Sequence, residues 1–545
     1  MKISIIWIDY VIILIYFIGV LCIGWYLKKY TKTGDDFFLA GRRNSAWVAG
    51  LAFLAANMGA VELMGMAASS YEYGILTAHF YWIGAIPAMI FLGLFMMPFY
   101  YSSKIHSVPG YLKLRFDEKN RTLNAVSFAI MTLLVSGINL YAMALVLHTI
   151  IGWNMHASML ISAVTVALYV YLGGLTSAIF NEIVQFFLIW FGLLLLSIFG
   201  IIEIGGWSQI FERIPESYKH LWSTTLNPTD NPMIISWAGI VLGLGFVLSF
   251  GYWTTDFLVV QRAFSSRDLR AAQATPIVAS FFKMAIPFIV CVTGLVAIPL
   301  LPKLGPGTEH SYNEVLPLLI KRYFPPGLMG LGVTALLAGF MSGQAGNISA
   351  FNTVWTYDLY RAHIIKGASD KHYVLMGRIA TLVGVVISIG TAYWTMGFPS
   401  IMDYMQAIFS WVNAPLFAII LLGMFWKRCT PNGAFWGLLI GMVSSFTMFI
   451  LVKYNFISVS AIAFSENASL MAANFWRAWW AWLITFVFTI VISLFTKPKD
   501  YSELKGLVYG LTKITQTKEV KYYQKPIFWA VISLIIFLIL NIIYW

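Results

Sequence analysis

Apolar stretches long enough to cross a bilayer recur along almost the whole chain, separated by short polar or basic segments. A helix needs about 20 apolar residues to cross about 30 Å of hydrocarbon. Fourteen stretches reach that length: residues 5–27, 45–69, 78–101, 123–150, 155–173, 177–203, 234–260, 272–301, 326–358, 375–395, 399–426, 432–453, 472–496 and 526–545. They predict an all-α integral membrane protein of about 14 transmembrane helices. The first is expected to be a retained span. It exceeds the length of a signal-peptide core and runs into Lys28-Lys29 where a cleavage site would need small residues.

Two spans break the apolar pattern in corresponding ways. The stretch 45–69 carries Ala55-Ala56-Asn57-Met58-Gly59-Ala60-Val61-Glu62 at its centre. A carboxylate at that depth costs at least a few kcal/mol unless it faces a cavity or a partner. Backbone that leaves the helix there must be buried in protein or line water. The stretch 234–260 reads Gly-Leu-Gly-Phe-Val-Leu-Ser-Phe-Gly over 243–251 and ends in Tyr252-Trp253-Thr254-Thr255-Asp256. Five spans separate the start of one from the start of the other, and an odd number forces the second copy to be inverted. Two five-helix inverted repeats, each opening with a discontinuous helix, are the layout of alternating-access transporters. The division expected is 1–44 (first helix and loop), 45–203 (repeat one), 204–233 (extracellular loop), 234–426 (repeat two) and 427–545 (three further helices).

Composition agrees: 59% of the 545 residues are hydrophobic and 11% charged, against about 25% charged in soluble domains. The net charge of +12 raises a nucleic-acid reading, which the distribution of the charges removes. With the amino terminus outside, 26 of the 35 Lys and Arg fall in the inner segments 28–44, 102–121, 262–270, 361–378, 427–428 and 497–525. That is the positive-inside pattern, and it implies contact with anionic membrane lipid. It predicts a plasma (inner) membrane protein with both termini extracellular or periplasmic. Cys22, Cys291 and Cys429 are too scattered for a metal or disulfide framework. No Ser-His, metal or phosphate-cradling constellation points to an enzyme, and no obligate protein partner is implied. The glycines within spans are expected to serve close helix packing.

Short motifs then carry a resemblance. Asp36-Phe37-Phe38-Leu39-Ala40-Gly41-Arg42, Ala55-Ala56-Asn57, Val108-Pro109-Gly110-Tyr111 with Arg115-Phe116, and Gly173-Gly174-Leu175-Thr176-Ser177-Ala178 with Glu182-Ile183-Val184-Gln185 come in order. Val260-Gln261-Arg262, Asp358-Leu359-Tyr360-Arg361 and Leu422-Gly423-Met424-Phe425-Trp426-Lys427 follow. Over essentially its whole length the chain resembles the sodium/solute symporter family, which includes sodium–glucose cotransporters. That resemblance implies a five-plus-five inverted-repeat fold with one helix before it and three after.

The resemblance also implies sites. A sodium ion (Na+) would lie between the break and the eighth core helix, with Ala55 and Met58 offering carbonyls and Gly339, Ser342 and Gly343 opposite. The family has two adjacent hydroxyls where this chain has Ser342-Gly343; Gln344, Asn347 or a water could supply the missing oxygen. Ala345-Gly346 stand where a second ion site would need hydroxyls. The solute positions implied are Glu62, Tyr81, Ser249, Tyr252, Lys283 and Gln406. Tyr252, Lys283 and Gln406 keep the sugar-type residue; Glu62 replaces a Gln, Tyr81 a Glu and Ser249 an Asn. Met66, Phe80 and Met402 match outer gates and Tyr252 the inner gate.

Read from the residues alone, Lys283 lies deep in the span 272–301 and needs a carboxylate partner among Glu62, Asp256, Glu182 and Asp403. Such a pair could equally be structural, fixing helix register. Glu62 could instead meet a solute amine or carry a proton. Asp256 is expected to pair with Arg262 or Arg267, and Trp476, Trp479, Trp480 and Trp482 to form an interfacial belt. The leading expectation is sodium-coupled symport of a small polar solute, a sugar or related polyol, by alternating access. A proton-coupled or uncoupled carrier of an organic acid or amino acid, and a transport-inactive sensor, are the alternatives.

Overall fold

A computed structural model describes residues 5–30, 33–222, 227–398, 400–511 and 521–545. Among these residues every element is a helix, joined by turns and loops, and the only strand-like pairing is one isolated backbone bridge between Asn44 and Ser266. All fourteen expected spans are present. Twelve helical runs are long and apolar enough to cross a membrane, and a bent pair, Gly239–Thr255 and Phe257–Phe264, adds one more. The shorter helix Ala46–Asn57 completes the count, because the run Val61–Ser102 holds both its continuation and the next span. Gly74, at φ 68°, makes the turn within that run.

Helix starts carry side chains that satisfy the otherwise unpaired first-turn N–H groups. Ser45 accepts from Val48 N–H at 3.3 Å, Asp117 from Asn120 N–H at 3.0 Å and Asp268 from Ala271 N–H at 2.7 Å. Gly174, at φ 55°, separates the spans 155–173 and 177–203 within one long helical run.

Both predicted discontinuities are real. Ala46–Asn57 ends where Met58 turns to ψ 45°, Gly59 N–H bonds back to the Asn57 carbonyl at 2.8 Å, and Val61–Gly65 resumes as a widened turn. The second helix bends by 47° at Asp256, whose ψ is 114°. The break therefore falls just after the glycine run of 243–251, and the glycines sit in widened helical turns and packing contacts.

The helix Leu328–Val354 is the buried axis, packed between Met155–Ile204 and Glu118–Val146 and against the first broken helix. Ile401–Phe425 packs on Leu470–Phe495, and Pro526–Ile543 lies outside against Leu269–Ala285. The tryptophan cluster divides by burial. Trp476 and Trp482 are buried, Trp482 with its ring edge-on to Phe246, while Trp479 and Trp480 are partly exposed. Helical spacing turns part of the cluster toward the neighbouring helices.

Candidate functional site

The first break brings backbone carbonyls against the helix Leu328–Val354. The carbonyl of Ala55 accepts the Ser342 hydroxyl at 2.9 Å. A Cβ added to Gly339 would lie 2.8 Å from the Met58 carbonyl oxygen, so the missing side chain is what admits that oxygen. Ala55, Met58, Gly339 and Ser342 are thus brought together, all buried, as a corner of carbonyl and hydroxyl oxygens with no fixed charge. Oxygen-only ligation suits a hard monovalent or divalent cation. Gly343 lies against Gly59: a Cβ on Gly343 would be 2.8 Å from the Gly59 Cα. Of the two side chains expected to replace its oxygen, Asn347 donates to the Gly343 carbonyl at 2.8 Å. Gln344 is buried and does not line the cavity beside the corner.

That cavity measures about 90 Å³. It is lined by Glu62, Ser249, Tyr252, Lys283 and Gln406, and by Met66, Phe80 and Met402, the three positions expected as outer gates. Binding pockets for small molecules start near about 300 Å³, so the cavity is small for a solute site. Tyr81 does not line the cavity. Its ring lies 4.9 Å from Lys283 Nζ, and its hydroxyl makes a long contact with the Glu62 carbonyl oxygen at 3.5 Å.

Lys283 resolves to a single carboxylate. Nζ donates to Glu62 Oε1 at 2.5 Å and to Asn57 Oδ1 at 2.5 Å, and lies 5.0 Å from the Trp253 ring centroid. Asn57 in turn donates to the Tyr252 hydroxyl at 2.8 Å, and Tyr252 stacks on Phe409. The side chains of Lys283 and Glu62 are 3% and 5% exposed. Desolvating both charges costs several kcal/mol each, offset only by a close, fully bonded geometry. Two aromatic faces beside the ammonium add cation–π attraction. Gln406 directs its amide at Met402 Sδ from 3.9 Å, a weak contact that leaves it available. Ser249 donates to the Leu244 carbonyl at 2.7 Å, filling the widened turn.

Two charge assignments differ from the sequence reading. Asp256 pairs with neither Arg262 nor Arg267; it caps Phe257–Phe264, accepting Leu258 N–H at 2.9 Å. The bend exposes first-turn N–H groups, and the local carboxylate satisfies them. Arg262 reaches Glu182 instead, both side chains fully buried, and Arg267 meets Asp268 at 3.4 Å.

Three participants were not singled out as ligands from sequence. Asn57 marked the break and proves to be a hub between Lys283 and Tyr252. Trp253 adjoins a named residue. Asn139, a mid-span amide in the stretch 123–150, accepts Ala60 N–H at 2.9 Å and lines the same cavity.

Comparison with known proteins follows the same lines. The model of the sodium:solute symporter family matches residues 37–441. Sodium/glucose cotransporter 1 of Oryctolagus cuniculus is 27% identical over 540 residues, covering 92% of this chain and 81% of that protein. The sodium/glucose cotransporter of Vibrio parahaemolyticus is 27% identical, covering 82% and 85%. The human sodium/myo-inositol cotransporter is 27% identical, covering 94% and 76%. A substrate-bound, outward-open Na+-coupled sialic acid symporter has the same fold, with a TM-score of 0.75 at 20% identity over 91% of this chain and 99% of its own.

Proposed function

The chain belongs to the sodium:solute symporter family, and from that premise we propose that it couples inward sodium flow to uptake of a neutral polyhydroxylated solute, a sugar or polyol. The observation that carries the solute class is the Lys283–Glu62 pair at 2.5 Å. It supplies a donor and an acceptor whose opposite charges cancel within the pair. Hydroxyl groups both donate and accept, so a polyol can bond to both charges at once. Asn57, Gln406 and Tyr252 extend the hydrogen-bonding set, and Trp253 and Phe409 offer ring faces. The sodium/glucose and sodium/myo-inositol cotransporters among its relatives support the same class.

Sodium would bind at Ala55, Met58, Gly339 and Ser342, tying the break to Leu328–Val354. The solute beside it closes Met66, Phe80 and Met402 on the outer side. Loss of sodium frees the break, and Tyr252 opens inward. At 100 mV one inward charge releases about 2.3 kcal/mol, enough for roughly a 50-fold solute gradient at about 1.4 kcal/mol per tenfold. A proton-carrying Glu62 fits less well, because Lys283 already engages that carboxylate. We take 45–203 and 234–426 as the two repeats, and the basic segments as facing the cytoplasm.

A thermal-stability screen of the purified chain tests this reading. Sugars and polyols should raise the melting temperature, more so in NaCl than in KCl. Stabilisation by amino acids or carboxylates alone, or equally in both salts, would overturn it.

A further inference from the structure

Gly343 lacks the hydroxyl that the sodium corner calls for, and the packing around it shows what stands there. A Cβ on Gly343 would lie 2.7 Å from Asn139 Oδ1; a Cβ on Gly59 would lie 2.6 Å from the same atom and 3.2 Å from the Gly343 Cα. The two glycines let backbones cross in contact, and the Asn139 amide oxygen fills the space in which a side chain at 343 would start. The orientation of the amide is fixed at both ends: Oδ1 accepts Ala60 N–H at 2.9 Å, and Nδ2 donates to the Val135 carbonyl at 3.3 Å. An amide oxygen has two lone pairs, so one remains. It is a hard ligand of the same class as the Ala55 and Met58 carbonyls.

We infer that Asn139 Oδ1 is an oxygen ligand of the sodium corner, standing in for the hydroxyl absent at 343. This rests on the sodium reading above and extends it. Asn139 belongs to Glu118–Val146, so the ion would tie three helices together: the broken helix, Leu328–Val354 and Glu118–Val146. The same oxygen holds the first N–H after the break. Release of the ion would then loosen the resumed half of the broken helix from two neighbours, which is the segment that carries Glu62. Ion loss and solute release would share one atom.

The test is a sodium titration of the melting temperature of the full chain in detergent, with KCl keeping ionic strength constant. A ligand that binds only the native state raises stability in proportion to ln(1 + [L]/Kd). Asn139→Ala should raise the sodium concentration at which the melting temperature begins to climb about tenfold or more, the range seen when metal-site partners are lost. Asn139→Asp keeps the oxygen and adds a charge, and should titrate at or below the wild-type concentration. Ser342→Ala is the reference variant for the corner. If Ser342→Ala weakens sodium but Asn139→Ala titrates like wild type, Asn139 is only a helix cap and the inference is overturned. If Asn139→Ala does not fold, a weakened titration in Asn139→Asp overturns it. A wild-type chain with no sodium-specific shift overturns the sodium reading itself, and the inference with it.

Discussion

Removing Lys283 should damage the protein in two separable ways. The ammonium is 3% exposed and sits 2.5 Å from Glu62 Oε1 and 2.5 Å from Asn57 Oδ1. Lys283→Ala leaves a carboxylate that is 5% exposed without a partner, and breaking a buried pair from one side costs about 3–5 kcal/mol. Glu62→Gln leaves the ammonium instead, with Asn57 still bonded, so its cost should fall toward the lower end. The double variant removes both charges, and replacing a whole buried pair is close to neutral. The cycle should therefore return a coupling of at least about 2 kcal/mol, read from denaturant unfolding in detergent. Solute binding behaves differently. A hydrogen bond to a charged group contributes about 1.5–3 kcal/mol, which is about 10- to 150-fold in Kd. Calorimetry should show that weakening in Lys283→Ala and at least as much in the stable double variant. Additive stability losses, or a double variant that binds as the wild type does, would refute the reasoning.

Further tests address the rest of the site. Gly343→Ala places a Cβ 2.8 Å from backbone at Gly59, and overpacking of that kind costs about 1–3 kcal/mol; the melting temperature should fall and sodium stabilisation with it. Asp256→Ala should lose about 1 kcal/mol as a cap while Asp256→Ser retains most of it; equal losses would restore an ion-pair role. Glu182→Ala strands Arg262, both fully buried, and should cost about 3–5 kcal/mol without changing solute selectivity, measured by competition in binding.

The spans were legible because a membrane penalises polar residues and irregular backbone so heavily. Glu62 and Gly59 in an apolar run marked a break that the structure contains. Ala55, Met58, Gly339 and Ser342 were legible by resemblance, and the structure brings them together. What sequence could not decide was which distant side chain answers a local need. Lys283 had four possible carboxylates, and only the crossing of Leu269–Ala285 on the broken helix selects Glu62. Asp256 looked like a partner for Arg262, two turns away, because the bend that makes it a cap is a tertiary feature. Asn139 is an amide at the centre of an apolar span, but its meaning depends on Gly59 and Gly343, which lie far away in the chain on two other helices. Trp476 and Trp482 share a composition with Trp479 and Trp480 and differ only in which way the helix faces.

Uptake by the purified chain in proteoliposomes tests the central claim most directly. An inward sodium gradient with an inside-negative potential should drive a labelled hexose or inositol above its external concentration, with collapse on replacing sodium by potassium. Accumulation driven by a proton gradient without sodium, or equilibration that ignores every gradient, would contradict it.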